Sequence, residues 1–144
     1  MHDMGDGVLT PGTYAQDLVR ELPVISRLAE FDTTVLSNID SGDMQPDDWQ
    51  RLATAVHAEL SRPEISGVVI LHGTDTMAYT ASALGLMLGP LPKPVILTGA
   101  QRPLAEVRTD ARANVVDACL LATMPVPEVG VAFASRLWRG VRVT

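Results

Sequence analysis

The sequence has 144 residues, 47% of them hydrophobic and 19% charged, with a net charge of −6. That length suits one domain with a sizeable core. The acidic balance argues against nucleic acid or an anionic membrane surface as a partner, because both reward an excess of Lys and Arg. It leaves room for an anionic small ligand in a local pocket. The single cysteine, Cys119, excludes an intrachain disulfide and fits a reducing compartment. It sits in the apolar run 115–121 and reads as a buried structural thiol. No apolar stretch approaches the roughly 20 residues needed to span a bilayer. The acidic first residues lack the apolar run of a signal peptide.

In chain order, residues 12–21 carry a helical pattern and 33–38 read as a strand. A helix is expected over 46–60, opened by Pro46, Asp47 and Asp48, which put acids where the N-terminal dipole favours them. Residues 67–71 are apolar and β-branched without alternation, the pattern of a strand covered on both faces. A helix follows over 75–88, stopped by Gly89, Pro90 and Pro92. Residues 94–98 repeat the strand pattern, 108–124 the helical one, and 128–134 the strand. The Arg-rich segment around Trp138 suits a hairpin or a subunit contact.

Strand and helix alternating at this spacing predict βαβ units, a mostly parallel sheet and helices on both faces. Ligands of such sheets bind outside the carboxyl ends of the strands. The segments that matter are then 39–44, 72–76 and 99–102, which should converge on one rim. The only lysine, Lys93, precedes its strand and belongs to the opposite rim, as a solvated loop residue. The other ten basic residues are arginines, which stay protonated and cannot shuttle protons.

The segment with most chemistry is Leu71, His72, Gly73, Thr74, Asp75, Thr76 and Met77. The strand ends at Leu71, and Gly73 permits a sharp turn. Thr74 and Asp75 then fall at a helix N-terminus, where backbone N–H groups attract a carboxylate or oxyanion. A Thr hydroxyl beside an acid suits polarising a water or holding an amide. Either residue also suits a plain N-cap, and the two readings are compatible. His72 reads as a hydrogen-bonded structural residue, Trp49 as packing, His57 as a helix-surface residue, and Asp43 as a turn or cap. No cluster has metal-ligand spacing, and neither a Gly-x-Gly-x-x-Gly nor a P-loop occurs.

The block 72–84 resembles the second signature of the bacterial L-asparaginase family, especially its cytoplasmic type I branch. Residues 40–49 resemble that family's substrate loop, 98–106 its next strand end, 108–114 its following helix start, and 136–144 a later Arg-Leu-aromatic-Arg-Gly segment. The similarity runs in order over nearly the whole chain. It implies an α/β three-layer sandwich with a Rossmann-like, mostly parallel sheet, forming one partial N-terminal domain over 1–144, trimmed at both ends and without the family's smaller C-terminal domain. It implies hydrolysis of L-asparagine to L-aspartate and ammonia by a threonine nucleophile, with no metal or organic cofactor. Thr74 would belong to a Thr-Asp-Lys group that activates the attacking hydroxyl or water, and Asp75 would grip the substrate α-amino group. Ser41 would bind the α-carboxylate, Gly42 would lie beside it in the substrate loop, and the Ala100 backbone would face the scissile amide. Gly42 stands where many relatives have Gln or Ser.

The family's nucleophile segment, Thr-Gly-Gly-Thr-Ile-Gly, does not occur in the sequence, and Thr10 and Thr13 lack its strand-plus-glycine context. Its lysine follows Arg-Gly-x-Arg-x-Thr, whereas here Thr144 is the last residue. The resemblance therefore implies that these 144 residues alone are inactive. A cytoplasmic location and a homo-oligomer at full length are further implications. A glutaminase, the asparaginase-like subunit of a tRNA-dependent amidotransferase, and a non-catalytic binding module remain open beside the asparaginase reading.

Overall fold

The computed structural model describes residues 22–37 and 39–144. The chain divides into two units, Met1–Asn38 and Ile39–Thr144. The expected helix over 12–21, and Thr10 and Thr13 with it, lie outside the described residues. In the first unit, Ile25–Arg27 forms one 3-10 turn. The strand expected over 33–38 is not there: residues 33–37 join no ladder, and Val35 and Leu36 are exposed. Strand propensity reports how well side chains suit a pleated, packed surface, and it yields a strand only where a neighbouring strand supplies hydrogen bonds.

The second unit is the α/β body. Helix α1 spans Pro46–Leu60, as the sequence predicts. Asp48 accepts the Gln45 N–H at 2.8 Å, closing the first turn and holding its own carboxyl below the usual range, with help from Arg51. Strand β1 spans Val68–Leu71, helix α2 Met77–Met87, and strand β2 Val95–Thr98. Helix α3 spans Ala111–Ala122, strand β3 Val129–Phe133, and strand β4 Arg136–Arg139. The strands lie in the order β1-β2-β3-β4, with the first three parallel and β4 antiparallel to β3.

Alternate residues of each strand face opposite layers, as the pleat requires. Val95 and Leu97 of β2 join Val129 and Val131 of β3 under α1 and α2, where Val56, Leu60, Ala81 and Leu84 are buried. Ile96 and Ala132 face the other way, against Ala118 and Ala122 of α3. This is a three-layer sandwich, with all four residues of β2 buried at its centre. Cys119 is buried in the α3 layer, and burial pushes its thiol up to about 11, so it stays protonated and inert.

The layers carry a consequence for handedness. The chain steps from β1 to β2 to β3 in one direction across the sheet, yet α2 and α3 cover opposite faces. The two crossovers therefore have opposite hand, and one is left-handed, against the strong right-handed preference of βαβ units.

β3 and β4 form a hairpin with a two-residue turn, Ala134 and Ser135, both at positive φ (51° and 57°). Such turns match the strand twist but favour Asn and Gly, so two residues with a Cβ hold it at a cost of order 1 kcal/mol each. Trp138 is part of this hairpin, as one of the two sequence readings has it, with Arg136 stacked 5.7 Å from its ring centre. Glu128 and Arg139 pair across the other end at 2.7 Å.

Candidate functional site

Three segments meet at the carboxyl ends of the parallel strands. The segment 40–44 folds as a short 3-10 turn, Ser41–Asp43, after Asp40, whose carboxylate accepts the Gly42 N–H at 2.9 Å. Asp40 is thus the capping acid, and Asp43 lies in the turn itself, one of the two roles its position suggests. The Thr76 hydroxyl donates to the Ser41 carbonyl at 2.7 Å, joining this turn to the one that follows β1. Gly73 packs so closely on Ser41 that a Cβ there would collide with the Ser41 side chain. At Gly99, after β2, an added Cβ would collide with the His72 carbonyl and come within 2.7 Å of Met77 Cε. The predicted convergence of the three segments is therefore present, and two glycines allow the close approach.

Thr74 and Asp75 lie in the turn ahead of α2, and the helix starts at Met77, two residues later than expected. The N-cap is Thr76, so the capping role weighed for Thr74 and Asp75 falls to neither. Thr76 directs its hydroxyl to Ser41 and keeps a non-helical backbone, which delays the helix. Asp75 is exposed and Thr74 half-buried, and among the described residues neither side chain has a hydrogen-bond partner. Ser41 is buried, yet its hydroxyl is also without a partner there. No buried side-chain polar atom among the described residues is left unsatisfied, so that hydroxyl still reaches solvent. Gly42 has committed its N–H to Asp40 and offers a ligand only its carbonyl and Cα. Ala100 is half-buried in the loop after β2.

Beneath the 72–76 turn runs a chain of side-chain hydrogen bonds. Trp49 of α1 donates its indole N–H to Thr80 Oγ1 at 2.9 Å, and Thr80 Oγ1 lies 2.9 Å from His72 Nε2. His72 Nδ1 lies 2.7 Å from the Gly73 carbonyl. An indole only donates and a carbonyl only accepts, so Nδ1 carries a proton; on a neutral ring Nε2 then accepts, and Thr80 donates to it. Met44 Sδ completes the surroundings of Nε2 at 2.9 Å. Burial lowers the His72 pKa, and the Gly73 carbonyl only partly offsets it, so the ring is neutral. His72 is hydrogen-bonded, as its place after the strand suggests, and Trp49 adds a hydrogen bond to its packing.

The loop after β2 is held differently. Asp110 accepts the Gln101 N–H on both carboxylate oxygens, at 3.1 and 3.0 Å, and the Arg102 N–H at 3.0 Å. Asn114 is almost wholly buried and donates to the Gly99 carbonyl at 2.9 Å and to Asp110 at 3.2 Å. Its carbonyl oxygen accepts the Ala134 N–H at 3.0 Å. Partial burial raises the Asp110 pKa, but the N–H groups of Gln101 and Arg102 and the Asn114 amide outweigh it and keep the carboxyl below its usual range.

Sequence reasoning passed over Thr80, Asp110 and Asn114, whose hydrogen bonds hold the 72–76 turn and the 99–102 loop. One signal existed. Asn114 falls on the buried stripe of α3 with Ala111, Val115, Ala118, Cys119 and Ala122, and a polar residue in an apolar stripe has to find partners. Lys93 lies at the amino ends of the strands, as expected, but it is half-buried and donates to the Arg62 carbonyl at 2.6 Å, so it is a tether rather than a purely solvated residue. Among the described residues no three His, Cys, Asp or Glu side chains converge to hold a metal ion, and no helix is long and apolar enough to cross a membrane.

The result is a mostly parallel α/β sandwich whose strand-end rim presents the side chains of Ser41, Thr74 and Asp75 without hydrogen-bond partners among the described residues. A family profile described as "Asparaginase, N-terminal" matches residues 2–144, and the chain belongs to that family. It is 52% identical over 107 residues to L-asparaginase 1 of Escherichia coli K12, an alignment covering 74% of this chain and 31% of that protein. It is 42% identical over 129 residues to a glutamyl-tRNA(Gln) amidotransferase subunit of Pyrococcus horikoshii, covering 90% of this chain and 29% of that one. The chain thus spans about a third of the length of these relatives. Among solved structures, a probable cytoplasmic L-asparaginase from Campylobacter jejuni superposes with a TM-score of 0.84 at 34% identity, over 90% of this chain and 40% of the other. L-asparaginase I of Vibrio cholerae superposes with a TM-score of 0.77 at 42% identity, over 88% and 39%.

Proposed function

We propose that this chain supplies the substrate-binding rim of a cytoplasmic, homo-oligomeric L-asparaginase-type amidohydrolase, which converts L-asparagine and water to L-aspartate and ammonia. The observation that carries this reading is the junction of Ser41, Gly73 and Thr76, which sets a reachable serine hydroxyl beside the unpartnered Thr74 and Asp75. Asp75 takes the substrate ammonium, Ser41 its α-carboxylate, and the Ala100 backbone faces the amide. In the intact protein a threonine hydroxyl adds to the amide carbon, the C–N bond breaks as ammonia leaves with a proton, and water cleaves the resulting ester. Thr74 assists that proton transfer. Neither the nucleophile segment nor the lysine is among the 144 residues, so these residues alone release no ammonia.

Two measurements on the purified chain test this reading. Calorimetric titration should show L-aspartate binding that Asp75→Ala lowers at least about tenfold, the size expected for losing a charge-assisted bond. Ammonia release from L-asparagine should stay at buffer background. No binding by the wild-type chain refutes the substrate assignment, and ammonia well above background refutes the division of catalytic groups. The amidotransferase reading is favoured by the longer alignment with the Pyrococcus protein. The net charge of −6 speaks against a tRNA surface on this domain.

A further inference from the structure

We infer that Asp110 and Asn114 are positioning residues of the rim: together they hold the peptide groups of 99–102, so that the Ala100 backbone meets a ligand in a preset orientation. This inference rests on the proposed substrate site and names what shapes its third segment.

Three observations support it. Asp110 stands at the N-cap of α3, where an aspartate ordinarily accepts the N–H groups of its own helix. Here the side chain makes no cap bond, and Thr109 Oγ1 accepts the Ala111 N–H instead, at 3.1 Å. The Asp110 carboxylate is turned onto Gln101 and Arg102. The helix thus gives up its best cap so that a charged acceptor can fix two consecutive loop amides.

Next, Asn114 is buried and directs both of its amide hydrogens at the same place. One amide hydrogen goes to the Gly99 carbonyl, the other to Asp110, and the oxygen takes the Ala134 N–H. Both sides of the Ala100 peptide are therefore tied: the carbonyl of residue 99 to Asn114, and the N–H of residue 101 to Asp110.

Third, the Ala134 bond reaches the hairpin turn that two residues hold at positive φ. The clamp joins the rim loop to that turn, so neither moves alone. Thr109 closes the loop from its far end by donating to the Arg102 carbonyl at 2.9 Å. Hydrogen bonds aimed in advance at the ligand-facing backbone spare it the cost of ordering on binding.

The test uses the full chain with Asp110→Asn, which keeps the shape, Asp110→Ala, and Val56→Ala as a distant core variant of lowered stability. Amide hydrogen exchange at Gln101 and Arg102 is followed by NMR, and L-aspartate affinity by calorimetry. Both Asp110 variants should speed exchange at these two amides and weaken L-aspartate binding by about tenfold, the worth of a hydrogen bond to a charged group. Val56→Ala should change neither the local exchange pattern nor the affinity. Unchanged exchange at Gln101 and Arg102 overturns the inference. So does unchanged affinity in a variant whose loop amides have been released. Wild-type chain that binds no L-aspartate overturns the substrate reading instead, and the exchange result still decides whether Asp110 holds the loop.

Discussion

The turn after β1 and the loop after β2 end at the same rim but are fixed by opposite means. The first rests on a partly buried, uncharged relay from Trp49 through Thr80 to His72. The second hangs from a partly exposed carboxylate, Asp110, backed by the buried amide of Asn114. A neutral relay works only while its histidine carries one proton, on Nδ1. A carboxylate clamp works only while it is ionised. Two neighbouring segments of one site therefore fail in opposite ways, one by gaining a charge and the other by losing it.

The clamp side should show the largest effect. Asn114→Leu leaves the Gly99 carbonyl without its donor and the Ala134 N–H without its acceptor. We expect about 3 kcal/mol of lost stability, a fall in Tm of roughly 10 °C for a chain of this size. Thermal unfolding followed by circular dichroism measures it, and a shift under a third of that would show that the strained hairpin turn holds itself.

On the relay side, Thr80→Val keeps shape while orphaning the Trp49 indole N–H and His72 Nε2. The expected loss is about 2 kcal/mol, read from urea denaturation. The relay also sets a pH dependence. Burial lowers the His72 pKa, so the unfolded chain binds a proton there at higher pH than the folded one does. The stability tied to the neutral ring is complete above about pH 6.5 and falls as pH drops below it. The carboxylate clamp, whose folded pKa is also depressed, persists through that range and weakens only as pH falls below the ordinary carboxylate value. His72→Gln should flatten the first slope and leave the second; a variant that keeps both slopes would break the comparison.

The smallest effect belongs to the exposed pair of Glu128 and Arg139. Arg139→Ala should cost no more than about 0.5 kcal/mol in the same denaturation experiment. A cost above about 1 kcal/mol would mean that surface carboxylates here are worth as much as the Asp110 clamp.

Much of this was legible in the residues. Strands β1, β2 and β3 fall within a residue of their apolar, β-branched runs, because a strand covered on both faces has no polar alternation to confuse it. Helix α1 matches its Pro46 and Leu60 bounds because its stop and start signals are local. Helices α2 and α3 begin two and three residues late, since side-chain bonds to distant segments, Thr76 to Ser41 and Asp110 to Gln101, compete with helix formation. The strand expected over 33–38 fails for the converse reason: its pattern is local, but a ladder needs a partner.

The sequence by itself determined the layer architecture and the three segments of the rim, because apolar periodicity and turn residues are properties of short stretches; the family came from the resemblance of the motif over 72–84 and the segments around it. Tertiary structure alone decided the rest. It set which crossover hand each connection takes, where the helices actually begin, and which distant groups Thr80, Asp110 and Asn114 hold. The helix starts and the bonds of these three residues depend on partners up to 35 positions away in the chain, and no local pattern specifies which distant group will satisfy a buried donor or acceptor.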